Sequence, residues 1–162
     1  MSAQIAAQMR QMVKHRGTIS LVIPARYNPA SYYQSRSGLW VWDGFRSEVV
    51  AGAKPTRAGA KFDVSIFELM HAATAIKIER ELPANHLFND SAICAIVAAL
   101  IEKQPNGEPG DLESTGYANL LYGRTCVVEL LFDRVHRVWR VLAWHRDGAD
   151  WGVGRRIVVP AI

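Results

Sequence analysis

Apolar positions along the chain follow two periods, and these divide it into thirds. Residues 3–15 place Ile5, Met9, Met12 and Val13 on one face at helical spacing, and Gly17 ends that pattern. Thr18 to Ile23 is a short β-branched run closed by Pro24, which predicts a strand. After a loop rich in Tyr and Ser, two apolar runs flank Asp43-Gly44 within Gly38–Val50. That dipeptide predicts a β-hairpin, because Gly tolerates the positive φ of a type I′ turn. Ala51 to Lys61 reads as a flexible basic connection.

The middle third predicts two helices. Ser65 and Glu68 have the spacing of a capping box, and Ile66, Leu69, Met70, Ala73 and Ile76 line one face before Pro83 forbids continuation. A second helix starts at Asn89, Asp90 or Ser91 and carries Ile93, Ile96, Val97, Leu100 and Ile101 to Lys103. Pro105 to Gly110 is a loop. In the last third, Cys126–Phe132, Val138–Trp144 and Trp151–Val159 are apolar, β-branched or aromatic runs with short separations, which predicts a three-stranded antiparallel meander. The expectation is one α+β domain over 1–162: an N-terminal helix and β-hairpin, two central helices, and the C-terminal meander.

Composition adds little to this until charge is divided along the chain. The 162 residues are 49% hydrophobic and 21% charged, an ordinary globular balance. The net charge of +4 conceals a stronger pattern, because residues 1–61 carry +7, residues 62–113 carry −6 and residues 114–162 carry +3. The predicted β segments are therefore basic and the helical segment acidic. Arginine outnumbers lysine 14 to 5, the composition of a GC-rich bacterial or phage gene.

The N-terminus has no continuous apolar core of a secretion signal, and the longest apolar run, Ala92–Ile101, is too short to cross a bilayer. Two cysteines, Cys94 and Cys126, are too few for a disulfide framework, so a cytoplasmic setting with reduced thiols is expected.

Candidate chemistry is sparse. The histidines His15, His71, His86, His136 and His145 form no ligand-spaced pair, so no metal is expected, and phosphate-cradling glycine motifs that would signal a cofactor are missing. Cys94 near a helix start, followed by His136 or His145, has the order of a Cys–His hydrolase, yet its neighbours are those of a buried helix face.

The remaining signal is arginine interleaved with aromatics: Arg26, Arg36, Trp40, Trp42 and Arg46 in one segment, and Arg137, Arg140, Trp144 and Arg146 in the other. Guanidinium groups pair with phosphate and carboxylate, and indoles stack on bases or anchor protein interfaces. The sequence thus points to a non-enzymatic binding protein whose basic, aromatic β surface engages nucleic acid or an acidic protein or nucleoprotein partner, as an accessory or inhibitory factor. Self-assembly into a homo-oligomer through the oppositely charged blocks is the alternative, and a hydrolase centred on Cys94 the third reading.

Overall fold

The computed structural model describes residues 11–161. Its elements, in chain order, are β1 (Val13–Val22), α1 (Pro29–Tyr32), β2 (Leu39–Val41), α2 (Asp43–Glu48), a 3-10 turn (Val50–Gly52) and β3 (Lys61–Leu69). Then follow β4 (Ala73–Thr74), α3 (Ala75–Arg80), α4 (Asp90–Lys103), β5 (Asn119–Tyr122), β6 (Cys126–Asp133), β7 (Val138–His145), β8 (Asp150–Trp151) and β9 (Arg156–Pro160). Seven strands form one mixed sheet in the order β1-β3-β9-β5-β6-β7-β2, and β4 and β8 form a separate two-stranded ribbon.

This is not the arrangement of separate helical and β blocks that the sequence suggests. The largest correction concerns the helix expected from Ser65 to before Pro83: Lys61–Leu69 form β3, and only Ala75–Arg80 of that stretch are helical. The two faces of β3 enter different apolar clusters, with Val64 on one side and Phe67 and Leu69 on the other. A strand covered on both faces loses its alternation and imitates a helical pattern. Ser65 is no helix cap: it is fully buried in the strand and shares a hydrogen bond with Thr18 at 3.0 Å.

The helix expected over residues 3–15 falls mostly outside the described residues, but Val13–His15 already belong to β1. The register of β1 against β3 shifts between His15 and Gly17. That bulge sends Val13 and Leu21, which share sequence parity, into opposite clusters and hides the period-two signal.

Asp43-Gly44 is not a hairpin turn either. It opens α2, and β2 pairs in parallel with β7, so no return strand follows. Burial of Phe45 and Val49 decides for the helix, and Asp43 in its first turn favours the helix dipole.

The helix from Asn89 forms as expected, with the Asn89 side chain accepting from the Ala92 N–H at 2.8 Å. Nine consecutive residues, Ile93–Ile101, are buried. Together with α1, α2 and the 3-10 turn, α4 covers one face of the sheet. The C-terminal meander is only half realised. β6 and β7 form the antiparallel hairpin, but the third run breaks at Gly152–Gly154. Trp151 joins the ribbon with β4, and β9 inserts between β3 and β5, parallel to the latter.

α3 and the ribbon cover the opposite face over β3, β9 and β5, and the cover reaches Val13 of β1 and Val127 of β6. β5 is buried along its whole length, whereas β6 from Val128 onward and β7 as far as Ala143 alternate buried and half-buried positions. The second face of β6, β7 and β2 is therefore open. The outer edge of β2 is not: Leu39 exchanges both backbone bonds with Arg36, and the Val41 N–H donates to Ser35 Oγ at 3.0 Å.

Candidate functional site

The open face is built by cross-strand neighbours. Trp40 on β2 lies beside Arg140 on β7, which lies beside Leu131 on β6; one step along, Leu142 faces Glu129, and Trp144 faces Val127. Alternation directs Trp139, Val141 and Ala143 into the core and leaves Arg140, Leu142 and Trp144 on the outside. Trp42, just past the end of β2, is fixed by its N–H donating to the Val141 carbonyl.

The result is an aromatic surface. Trp40, Trp42 and Trp144 are each about 40% exposed, which is high for a side chain of this cost. The rings of Trp42 and Trp144 are 5.5 Å apart and tilted by 46°. The Arg140 guanidinium sits 5.6 Å from the Trp40 ring centroid and pairs with Asp133 at 2.5 Å.

On the other side of Trp144, its indole N–H donates to Glu129 Oε2 at 2.6 Å. Burial pushes the Glu129 carboxyl up, against the pull of that hydrogen bond and of the nearby Arg155 charge. Arg155 in turn lies over the exposed Tyr117 ring at 4.9 Å. Trp40, Trp42, Arg140 and Trp144 are thus brought together from the two sequence segments.

The other arginines named from the sequence go elsewhere. Arg26 is exposed in the turn after β1, in a left-handed conformation with φ 58°. Arg36 lies over the Tyr32 ring and donates to the Tyr32 carbonyl. Arg46 bonds the Tyr33 carbonyl, Ser35 and Asp43, which ties the α1–β2 loop to α2. Arg146 bonds the Arg124 carbonyl and Glu79 of α3. Arg137 is exposed at the tip of the β6–β7 hairpin. No single basic face gathers them all. Glu129 and Tyr117 are members of the surface that sequence reasoning missed, although a lone acid inside the apolar run Cys126–Phe132 was a usable signal.

Cys94 lies fully inside the core, with burial pushing its thiol up to about 12, and Cys126 is likewise driven to about 11. A nucleophilic thiol needs a lowered value and access, and Cys94 has neither. Among the described residues no group of three His, Cys, Asp or Glu side chains is placed to hold a metal ion, and no helix is long and apolar enough to cross a membrane. Compared with protein-family models, with curated proteins and with solved structures, the chain matches none of them.

Proposed function

We propose that this chain is a non-catalytic binding protein that holds single-stranded nucleic acid on the open face of β6, β7 and β2. The observation that carries the reading is the placement of Trp42 and Trp144 side by side, with Trp40 and Arg140 next to them and about 40% of each indole left exposed. Exposed indoles offer stacking surface at little further entropic cost, since the sheet and the Glu129 hydrogen bond already hold Trp144. Bases stack on such rings for about 1–3 kcal/mol each, whatever their identity.

The test is a fluorescence titration with short oligothymidylate and oligouridylate. Binding quenches tryptophan emission, and Trp42→Ala or Trp144→Ala weakens it at least about fivefold, the lower end of the stacking range. Unchanged affinity in both variants, with the fold intact by circular dichroism, would refute the reading.

A protein partner is the second reading. It is favoured by the local charge balance, because Arg140 is offset by Asp133 and Arg155 faces Glu129. Tryptophan and arginine are also common anchors of protein interfaces. Failure of every oligonucleotide at low salt, with the indoles still exposed, favours this second reading.

A further inference from the structure

Beyond the aromatic face, the structure points to the tip of the β6–β7 hairpin as a pre-shaped cationic finger: we propose that Arg134 and Arg137 clamp the phosphates of the same single strand. This rests on the nucleic-acid reading above and adds the group that fixes the strand's backbone.

The tip is organised by one side chain. Asp133 Oδ1 accepts the backbone N–H groups of Val135 and His136 at 2.9 and 3.1 Å, and Oδ2 accepts His136 Nδ1 at 2.8 Å and pairs with Arg140 at 2.5 Å. Those hydrogen bonds and the Arg140 charge hold the Asp133 carboxyl down to about 2, so the turn keeps its shape across the neutral range. The carboxylate is committed to the turn and Arg140, and Arg134 and Arg137 stand exposed beyond it. Glu108 is near enough for the Arg137 charge to lower its carboxyl, and it sits outside the hairpin.

Two features of the tip are poor choices for a turn that only connects strands. Val135 is 87% exposed, where a polar residue would be solvated at no cost. Arg137 has φ 54°, a conformation that Gly or Asn adopts more readily. An apolar apex between two guanidinium groups can lie against a sugar or base while the arginines hold flanking phosphates.

The tip and the indole pair also share a strand. Seven residue steps separate Arg137 from Trp144, roughly 23 Å along β7, so one extended strand can touch both.

The experiment compares wild type, Arg134→Ala/Arg137→Ala and Asp133→Ala by anisotropy of a labelled oligothymidylate over a series of salt concentrations, with quenching read in parallel. Two phosphate contacts contribute about 1.4 to the slope of log affinity against log salt. The double arginine variant should lose that much slope, bind about 25-fold more weakly at 0.1 M salt than wild type, and converge with it near 1 M. Quenching at saturation should persist, because the indoles are untouched.

Asp133→Ala discriminates further. Removing a negative charge alone would tighten binding of a polyanion, whereas loss of the turn's organiser weakens it severalfold. An unchanged slope in the double variant, alongside normal quenching, overturns the finger and leaves the aromatic face standing. Tighter binding by Asp133→Ala overturns the pre-shaped turn, and no binding by wild type overturns both proposals.

Discussion

Gln104, the residue that follows α4, is buried and ties the next loop to the core. Its side-chain Oε1 accepts the Leu112 N–H at 2.8 Å, and its Nε2 donates to the Leu112 carbonyl at 3.2 Å and the Glu108 carbonyl at 2.6 Å. Replacing it with Met keeps the volume and removes all three bonds. Leu112 is 1% exposed, so water does not easily reach its orphaned N–H and C=O, while the Glu108 carbonyl can turn to solvent. An unmade buried bond costs about 1–3 kcal/mol per group, and two groups are orphaned, so Gln104→Met should destabilise by roughly 2–6 kcal/mol.

The Trp139 indole N–H donates at 2.7 Å to the main-chain carbonyl of Gln104, not to its side chain, so the core contact survives the change. Urea unfolding followed by circular dichroism measures the effect. At a slope near 2 kcal/mol/M, the midpoint should fall by about 1–3 M. Amide exchange at Leu112 should accelerate more than in α4. A midpoint shift under about 0.3 M at unchanged slope would refute the claim that this side chain satisfies a buried loop.

Three further outcomes are expected. Gly107→Ala should destabilise by about 2 kcal/mol or more in the same assay, because Gly107 has φ 70° and a Cβ there would lie 2.3 Å from the Phe132 ring. Burial pushes the Glu79 carboxyl up, but hydrogen bonds from Arg146 and His86 overcome it and hold the group below its ordinary value. Its stabilisation is thus present above the unfolded carboxylate range and is lost as pH falls through the lowered folded value. Thermal midpoints between pH 6 and 3 should fall less steeply in Glu79→Gln than in wild type. Native-state alkylation of Cys94 and Cys126 by iodoacetamide should be slow and limited by opening of the structure, and rapid labelling without denaturant would contradict their burial.

How legible all this was in the sequence depended on how each segment is covered. α4 could be read because Asn89 caps it and no strand competes for its residues. The β6–β7 hairpin could be read because one of its faces is open, so alternation survives in Leu130, Phe132, Trp139 and Val141 against Leu131, Arg140 and Leu142. β3 could not, since covering both faces makes its apolar run ambiguous with a helix. β1 was legible only in part: Thr18–Ile23 reads as a strand, but the bulge between His15 and Gly17 exchanges faces and hides the strand's first residues from Val13. The short β5, Leu120 and Leu121 included, gave too brief a run to stand out.

At the site, the tryptophans were recognisable as a group, but which were core was a matter of parity. Trp139 is core by alternation, and Trp151 by its place in the ribbon. The arginines misled more, because Arg46 and Arg146 spend their donors on main-chain carbonyls and on Asp43 and Glu79. Composition counts such residues as free surface charge, although they serve as half-buried struts between elements.

The closed outer edge of β2 has a consequence for how copies of this protein meet at high concentration. The Leu39 amide and carbonyl and the Val41 amide are already bonded to Arg36 and Ser35, so this edge offers a neighbouring chain no row of free groups to template on. Two of the exposed indoles, Trp40 and Trp42, lie on or just past this edge strand and Trp144 on the strand beside it, where an open ladder would turn a sticky surface into a seed for fibre growth. Sealing the edge with residues 35–36 separates stickiness from polymerisation: the face can hold a ligand side-on, while end-to-end growth of the sheet is blocked at that margin.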